Sequence, residues 1–216
     1  CLLSRGLGDV YKRQLVERAL AEANIAFLMA PRHHAAMRYV APVRAALGVR
    51  TIFNLLGPLS NPALVKRIMV GVFDQSYCAP FAHVLARLGT SHAWVVHGAD
   101  GLDEVSTTGK TYVAALHNGK VTEFTISPDD IGLRTASLDQ LRGGDGDHNA
   151  RYLRALLEGE TGPYHDVVLF NAAAALVAGG HAKNLQQAAK QAQEALDSGK
   201  ALAALESLIA ITNDKD

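Results

Sequence analysis

Cysteine is nearly absent from this chain. Its 216 residues hold two, Cys1 and Cys78, and a pair so far apart forms neither a disulfide framework nor the spacing of a zinc site. No excess of one charge exists either, since Lys plus Arg number 21 and Asp plus Glu number 21. Binding to nucleic acid or to an anionic membrane needs a basic face, so no nucleic-acid and no membrane partner is expected. There is no apolar run of eighteen residues and no signal-peptide pattern; a reducing, cytoplasmic setting is the expectation. The nine histidines never fall at His-Glu-x-x-His spacing, which argues against zinc. Internal repeats and low-complexity tracts are lacking as well.

The chain also lacks an initial Met: residue 1 is Cys and the first Met is Met29. Residues 1–14, "CLLSRGLGDVYKRQ", carry no helical or strand period and resemble a translated sequencing-adaptor junction. They are expected to be a non-native or disordered leader, with the folded part in residues 15–216 and a longer parent protein upstream.

What is present is ordinary for a packed domain: 49% apolar and 19% charged residues can build a core. The spacing of Leu15, Val16, Ala19, Leu20 and Ala23 predicts a helix over 15–26. "AFLMA" (26–30) reads as a buried strand or turn. Residues 34–47 read as a helix kinked at Pro42 and ended by Gly48. "RIMVGVF" (67–73) and "HAWVVHG" (92–98) are continuous apolar, β-branched runs, the mark of strands buried on both faces. A helix over 77–88, ended by Gly89, separates them, which makes a βαβ unit. "TYVAALHNGKVTEFTI" (111–126) is a hairpin with Asn-Gly at its turn. Ser137 with Gln140 forms a capping box. Helices follow over 147–158, 166–178, 184–197 and 200–211, with Gly159, Gly179 and Gly199 as left-handed caps; the last residues should fray. The fold class expected is α/β: a mixed, largely parallel sheet with helices on both faces.

Four stretches could carry chemistry. In 33–62, "HHAAMRYVAPVRAALGVRTIFNLLGPLSNP", a helical reading sets His34 and Met37 on adjacent turns and Arg44 on a similar face. Arg offers a planar fork for a carboxylate and Met a soft apolar wall for a ring, though a surface Arg over a core Met fits the spacing as well. Within it, "FNLLGPLSNP" (53–62) reads as an irregular, rigid loop fixed by Gly57, Pro58 and Pro62, either a pocket wall or a corner. "HGADGLDEVS" (97–106) follows a buried strand, where open α/β sheets bind ligands. Its adjacent Asp103 and Glu104 suit Mg²⁺ with phosphate oxygens, or are a solvated acidic turn. "LRGGDGDHN" (141–149) could bring Arg142 to a phosphate, but without a preceding strand or Lys-Ser pair it reads as a turn into the next helix.

Taken together these segments resemble the anthranilate phosphoribosyltransferase family. That family carries a stretch close to H-P-A-M-K-x-V-x-P-V-R-x-x-L-G-x-R-T-I-F-N-x-L-G-P-L-x-N-P, matched here by 34–62; its V-H-G-x-D-G-L-D-E is matched by 96–104, and "LRGGD" and "NAAAAL" (171–176) fit. The likeness spans about residues 15–212, with Ala35 where the family usually has Pro. The resemblance implies transfer of phosphoribosyl from phosphoribosyl diphosphate to the amine of anthranilate, in tryptophan biosynthesis. By that likeness Arg44 grips the anthranilate carboxylate, His34, Met37 and Pro58 line its path, and Asp103 and Glu104 hold Mg²⁺ against the diphosphate. It also implies a homodimer, formed by N-terminal helices outside this chain. The family's G-T-G-G-D phosphate loop and K-H-G-N segment do not occur in the sequence, so the chain alone is expected to be half a site and inactive. A pyrimidine nucleoside phosphorylase of the same fold family, or a non-enzymatic homologue binding nucleic acid, are the alternatives; retention of Arg44 together with Asp103-Glu104 and the zero net charge weigh against them.

Overall fold

The computed structural model describes residues 13–28, 37–49 and 51–214. Helices run over Arg13–Glu22 (α1), Met37–Leu47 (α2), Phe53–Leu59 (α3), Cys78–Arg87 (α4), Gly146–Leu157 (α5), Pro163–Ala178 (α6), Leu185–Asp197 (α7) and Lys200–Asn213 (α8). Strands are Arg67–Gly71 (β1), His92–Gly98 (β2), Thr111–His117 (β3) and Lys120–Ile126 (β4), in the spatial order β1-β2-β3-β4.

The apolar runs become the strands expected of them. β1 and β2 pair in parallel, Arg67 opposite His92 and Gly71 opposite Val96, with α4 as their crossover. Asn118 and Gly119, both at positive φ, turn β3 into β4 as a tight hairpin. The class is mixed α/β, but its parallel share is one pairing of three, because the hairpin supplies half the strands and pairs antiparallel with β2 as well.

Strand alternation sorts the core into two layers. On one face Val70, Ala93, Val95, Ala114 and Leu116 pack against Cys78, Phe81, Ala82 and Leu85 of α4. On the other, Trp94, Val96 and Val113 meet Phe170, Ala173, Ala174 and Ala178 of α6, backed by Leu185 and Ala188 of α7. α6 is therefore apolar nearly all round, as a helix between a sheet and other helices must be. It runs antiparallel to β1: Arg67, which opens β1, donates to the Gly179 carbonyl at the far end of α6. A smaller cluster joins Ala19 and Ala23 of α1 to Leu208 and Ile211 of α8, and Arg18 reaches Asp214 at 2.6 Å. β4 is largely exposed, with Lys120 and Glu123 on a sheet edge that charge keeps from pairing further.

Four expectations need correcting. "FNLLGPL" is the helix α3 rather than an irregular loop. Its seven residues place Pro58 in the last turn, where only one helical hydrogen bond is forgone, and Asn54 Oδ1 accepts the Thr51 N–H at its start. The left-handed cap after α6 is Gly180 (φ 73°), while Gly179 remains right-handed. α6 also starts three residues earlier than expected, with Pro163 at its first position, where a missing N–H costs nothing. The stretch 26–30 shows no regular structure over its described part, 26–28.

Phe170 is fully buried between sheet and helices. Phe170→Ala should cost about 3–5 kcal/mol in urea unfolding, whereas Leu64→Ala, at 80% exposure, should cost less than about 0.5 kcal/mol.

Candidate functional site

Because β1 and β2 are parallel, both deliver the chain to the same edge of the sheet, at Gly71 and Gly98. The segment that follows β2 folds back over that edge. Gly98 N–H donates to the Leu102 carbonyl (2.8 Å), Gly101 N–H to the Gly98 carbonyl (2.9 Å), and Ala99 N–H to the Lys110 carbonyl (2.8 Å). His97 Nδ1–H donates to the Val72 carbonyl at 2.8 Å, tying the two strand ends together. The fold-back brings the Asp103 backbone onto Gly71: a Cβ at position 71 would lie 1.5 Å from the Asp103 carbonyl oxygen. Only glycine permits that approach.

Asp100 organises the loop from inside. Its Oδ2 accepts from Ser106 Oγ and Thr108 Oγ1, and its Oδ1 from the Leu102 N–H at 3.1 Å. Burial opposes its charge, but these donors outweigh burial and hold its pKa below the usual 3.8. Ser106 N–H in turn donates to Thr111 Oγ1 at 2.9 Å, anchoring the loop to β3.

Asp103 and Glu104 sit at the exposed rim of this loop. Among the described residues neither carboxylate has a hydrogen-bond donor or an ion-pair partner. Crowding by protein around the Glu104 carboxyl, and then the neighbouring Asp103 charge, push its pKa up. Its ionised form therefore costs the fold stability as pH rises through that raised pKa, and a cation would reverse the sign. Two adjacent, uncompensated carboxylates are hard oxygen donors of the number Mg²⁺ takes when substrate phosphates and waters supply the rest. Among the described residues no group of three or more His, Cys, Asp or Glu could hold a metal by itself, so an all-protein cage is not the arrangement here. The residues fit a shared magnesium–phosphate site.

The other expected site residues lie elsewhere. His34 is outside the described residues. Met37 and Arg44 belong to α2, seven residues apart in its sequence. Pro58 lines a cleft of about 370 Å³ with Lys66, Ile68, Leu88 and Thr90. Lys66 and Thr90 lie just before β1 and β2, so this cleft is at the amino ends of the strands and Asp103-Glu104 at the carboxyl ends. Strands of five to seven residues hold the two roughly 15–20 Å apart. Arg142 is exposed and pairs with Asp139 at 3.3 Å, a turn residue leading into the Asp145 cap of α5.

Sequence reasoning gave no role to Asn171 beyond its place in "NAAAAL". It projects from the third turn of α6; its Oδ1 accepts the Val105 N–H at 3.0 Å, and its Nδ2 donates to the Val105 carbonyl at 2.7 Å and the Val167 carbonyl at 2.9 Å. A lone amide in an otherwise apolar helix is the signal that could have found it.

The arrangement has known counterparts. Residues 10–202 match the glycosyl transferase family, a/b domain. The chain belongs to that family. A relative within reach of full alignment is the anthranilate phosphoribosyltransferase of Brucella suis, 53% identical over 214 residues, which cover 99% of this chain and 63% of the relative. The crystal structure of the Thermus thermophilus anthranilate phosphoribosyltransferase superposes with a TM-score of 0.86 at 42% identity, over 93% of this chain and 59% of that one. The Saccharomyces cerevisiae enzyme, 31% identical, superposes in its complex with 4-fluoroanthranilate (TM-score 0.84, 92% of this chain and 58% of that one) and with PRPP and Mg (0.82, 92% and 57%). The chain thus spans about three fifths of the length of these glycosyl transferase family members.

Two substitutions test the loop's construction. Asp100→Asn should lower stability at pH 7 by about 1–2 kcal/mol, the low end of a charged hydrogen-bond network because the site is partly solvated. That difference should shrink as pH falls below 3.8, since a carboxylate with a depressed pKa loses its contribution on protonation; urea unfolding at pH 7 and pH 3 measures both. Gly71→Ala should cost about 1–3 kcal/mol and displace the loop, read by thermal melting.

Proposed function

We propose that this chain is the α/β portion of an anthranilate phosphoribosyltransferase, which moves phosphoribosyl from phosphoribosyl diphosphate to the amine of anthranilate, and so serves tryptophan biosynthesis. The observation that carries the reading is the uncompensated Asp103-Glu104 pair, held by a pinned loop at the carboxyl edge of the sheet, in a chain 53% identical to a relative of that name.

The chemistry follows from charge. Breaking the C1–O bond leaves positive charge on the ribose and negative charge on the departing diphosphate, so stabilisation is chiefly electrostatic. Asp103 and Glu104 are the residues that hold magnesium, which when bound neutralises the leaving diphosphate. The aryl amine is already an unprotonated nucleophile at neutral pH and needs no strong base. Arg44 takes the anthranilate carboxylate in a bidentate grip, with His34, Met37 and Pro58 along the substrate's path. Pro58 serves at the amino-edge cleft, an approach route rather than a part of the phosphate site.

The rest of the site lies in the roughly two fifths of the relatives that this chain does not match. An uncovered apolar stripe supports this: Tyr39, Val43, Leu47, Val49, Ile52, Leu56 and Leu64 are all exposed, far more than a free surface ordinarily carries in one stretch. We assign this stripe to packing against those parts, residues 15–216 to the α/β domain and the homodimer to the helices beyond; the leader expected over 1–14 is shorter than that, since Arg13 and Gln14 already belong to α1 and the family match starts at residue 10. A cytoplasmic location belongs to the same proposal and rests on the scarcity of cysteine. Among the described residues no helix is long and apolar enough to cross a membrane.

The test is phosphoribosyl transfer followed by the loss of anthranilate fluorescence. The 216-residue chain should show none, while its fusion to the unmatched N-terminal part of the Brucella relative should be active. In the fusion, Asp103→Asn or Glu104→Gln should lower kcat/KM about 100-fold. Transfer by the chain alone would contradict the half-site, and an inactive, folded fusion would contradict the reaction.

A further inference from the structure

From the hydrogen bonds of Asn171 we infer that this side chain is a positioning residue for the acidic pair: it chelates the peptide groups next to Glu104 and so sets where the two carboxylates point. The inference rests on the reading of Asp103 and Glu104 as the magnesium–diphosphate site.

Three observations carry it. First, Asn171 satisfies both polar groups of Val105, N–H at 3.0 Å and C=O at 2.7 Å. An amide that both accepts from and donates to one residue fixes that residue as a strand partner would. The Val105 side chain is fully buried in the α6-facing core layer, so the position is held by packing as well. Second, the same Nδ2 donates to Val167, one turn earlier on α6, which locks the Asn171 rotamer to the helix. The clamp is thereby referred to the most buried helix of the fold. Third, the pair is also fixed at its first residue, since the Asp103 carbonyl itself lies against Gly71. Asp103 and Glu104 are left between two rigid points, one on the end of β1 and one on α6. Among the described residues neither carboxylate has a hydrogen-bond donor or ion-pair partner of its own, so the backbone clamp sets where the pair is held. Residues that orient ligating carboxylates in this way typically weaken metal affinity about 10- to 100-fold when removed.

The experiment is Mn²⁺ binding to the full 216-residue chain in the presence of inorganic diphosphate, by electron paramagnetic resonance, together with amide exchange at Val105 and thermal melting. Wild type should bind, and Glu104→Gln should not. Asn171→Ala should bind Mn²⁺ about tenfold or more weakly and exchange its Val105 amide faster, while remaining folded. Asn171→Ser serves if the alanine variant fails to fold. Its hydroxyl still back-bonds to the Val167 carbonyl as serine does in helices but is too short to reach Val105, so it should show the same losses. In the Glu104→Gln background Asn171→Ala should bring no further loss of ion binding. If wild type binds and both Asn171 variants bind equally well, the positioning role is wrong while the metal site stands. If wild type and Glu104→Gln give the same absence of binding, the metal reading fails and takes this role with it.

Discussion

The carboxyl edge of this sheet depends on one close approach, the Asp103 backbone lying where a side chain at position 71 would be. A strand that ended in any residue but glycine would push the following loop off the sheet. Because β1 ends at Gly71, the loop after β2 crosses directly over its neighbour's terminus. The crossing turns a flexible connection into a layer of the fold. From there the bonds to Asp100, Thr111 and Asn171 need only hold what the backbone contact has already placed. The acidic pair is exposed, yet it rides above strands whose two faces are covered by α4 and α6. This is how a site on a loop becomes as well ordered as one on a strand.

The two edges of the sheet then divide the work. The carboxyl edge offers oxygen ligands and fixed peptide groups, suited to a metal and a diphosphate. The amino edge, with α3 and Pro58, offers a cleft of mixed lining, in which Ile68 and Leu88 stand beside Lys66 and Thr90. Between them, residues 39–65 expose a run of large apolar side chains, the surface one expects on a domain that packs against further parts of its protein. A chain covering 63% of the Brucella relative's length is consistent with that surface.

The sheet was legible because its signals are local. The centre of "HAWVVHG", Ala93–Val96, is an unbroken apolar run since both its faces are buried, and Asn118-Gly119 specifies a hairpin turn by itself. The Ser137–Gln140 capping box also formed as read. Asp103 and Glu104 lie in the loop after a buried strand, where the sequence places them. The misses are all non-local or marginal. Asn171 acts on Val105, 66 residues away, and no periodicity reports such a pairing. Pro58 stands close to Arg44 in sequence, which says nothing of the edge of the sheet its helix reaches. α3 is a helix because its proline falls in a final turn, a matter of a residue or two that composition does not settle.

The central claim is that the anion and metal chemistry belongs to the carboxyl edge of the sheet. The measurement that tests it most directly is a two-dimensional ¹H–¹⁵N NMR titration of the chain with Mg²⁺ and inorganic diphosphate. The account predicts shifts concentrated in residues 98–108, with Glu104 and Val105 among the largest and residues 58–66 unmoved. Shifts centred on residues 58–66, or none in the loop at saturating ligand, would contradict it.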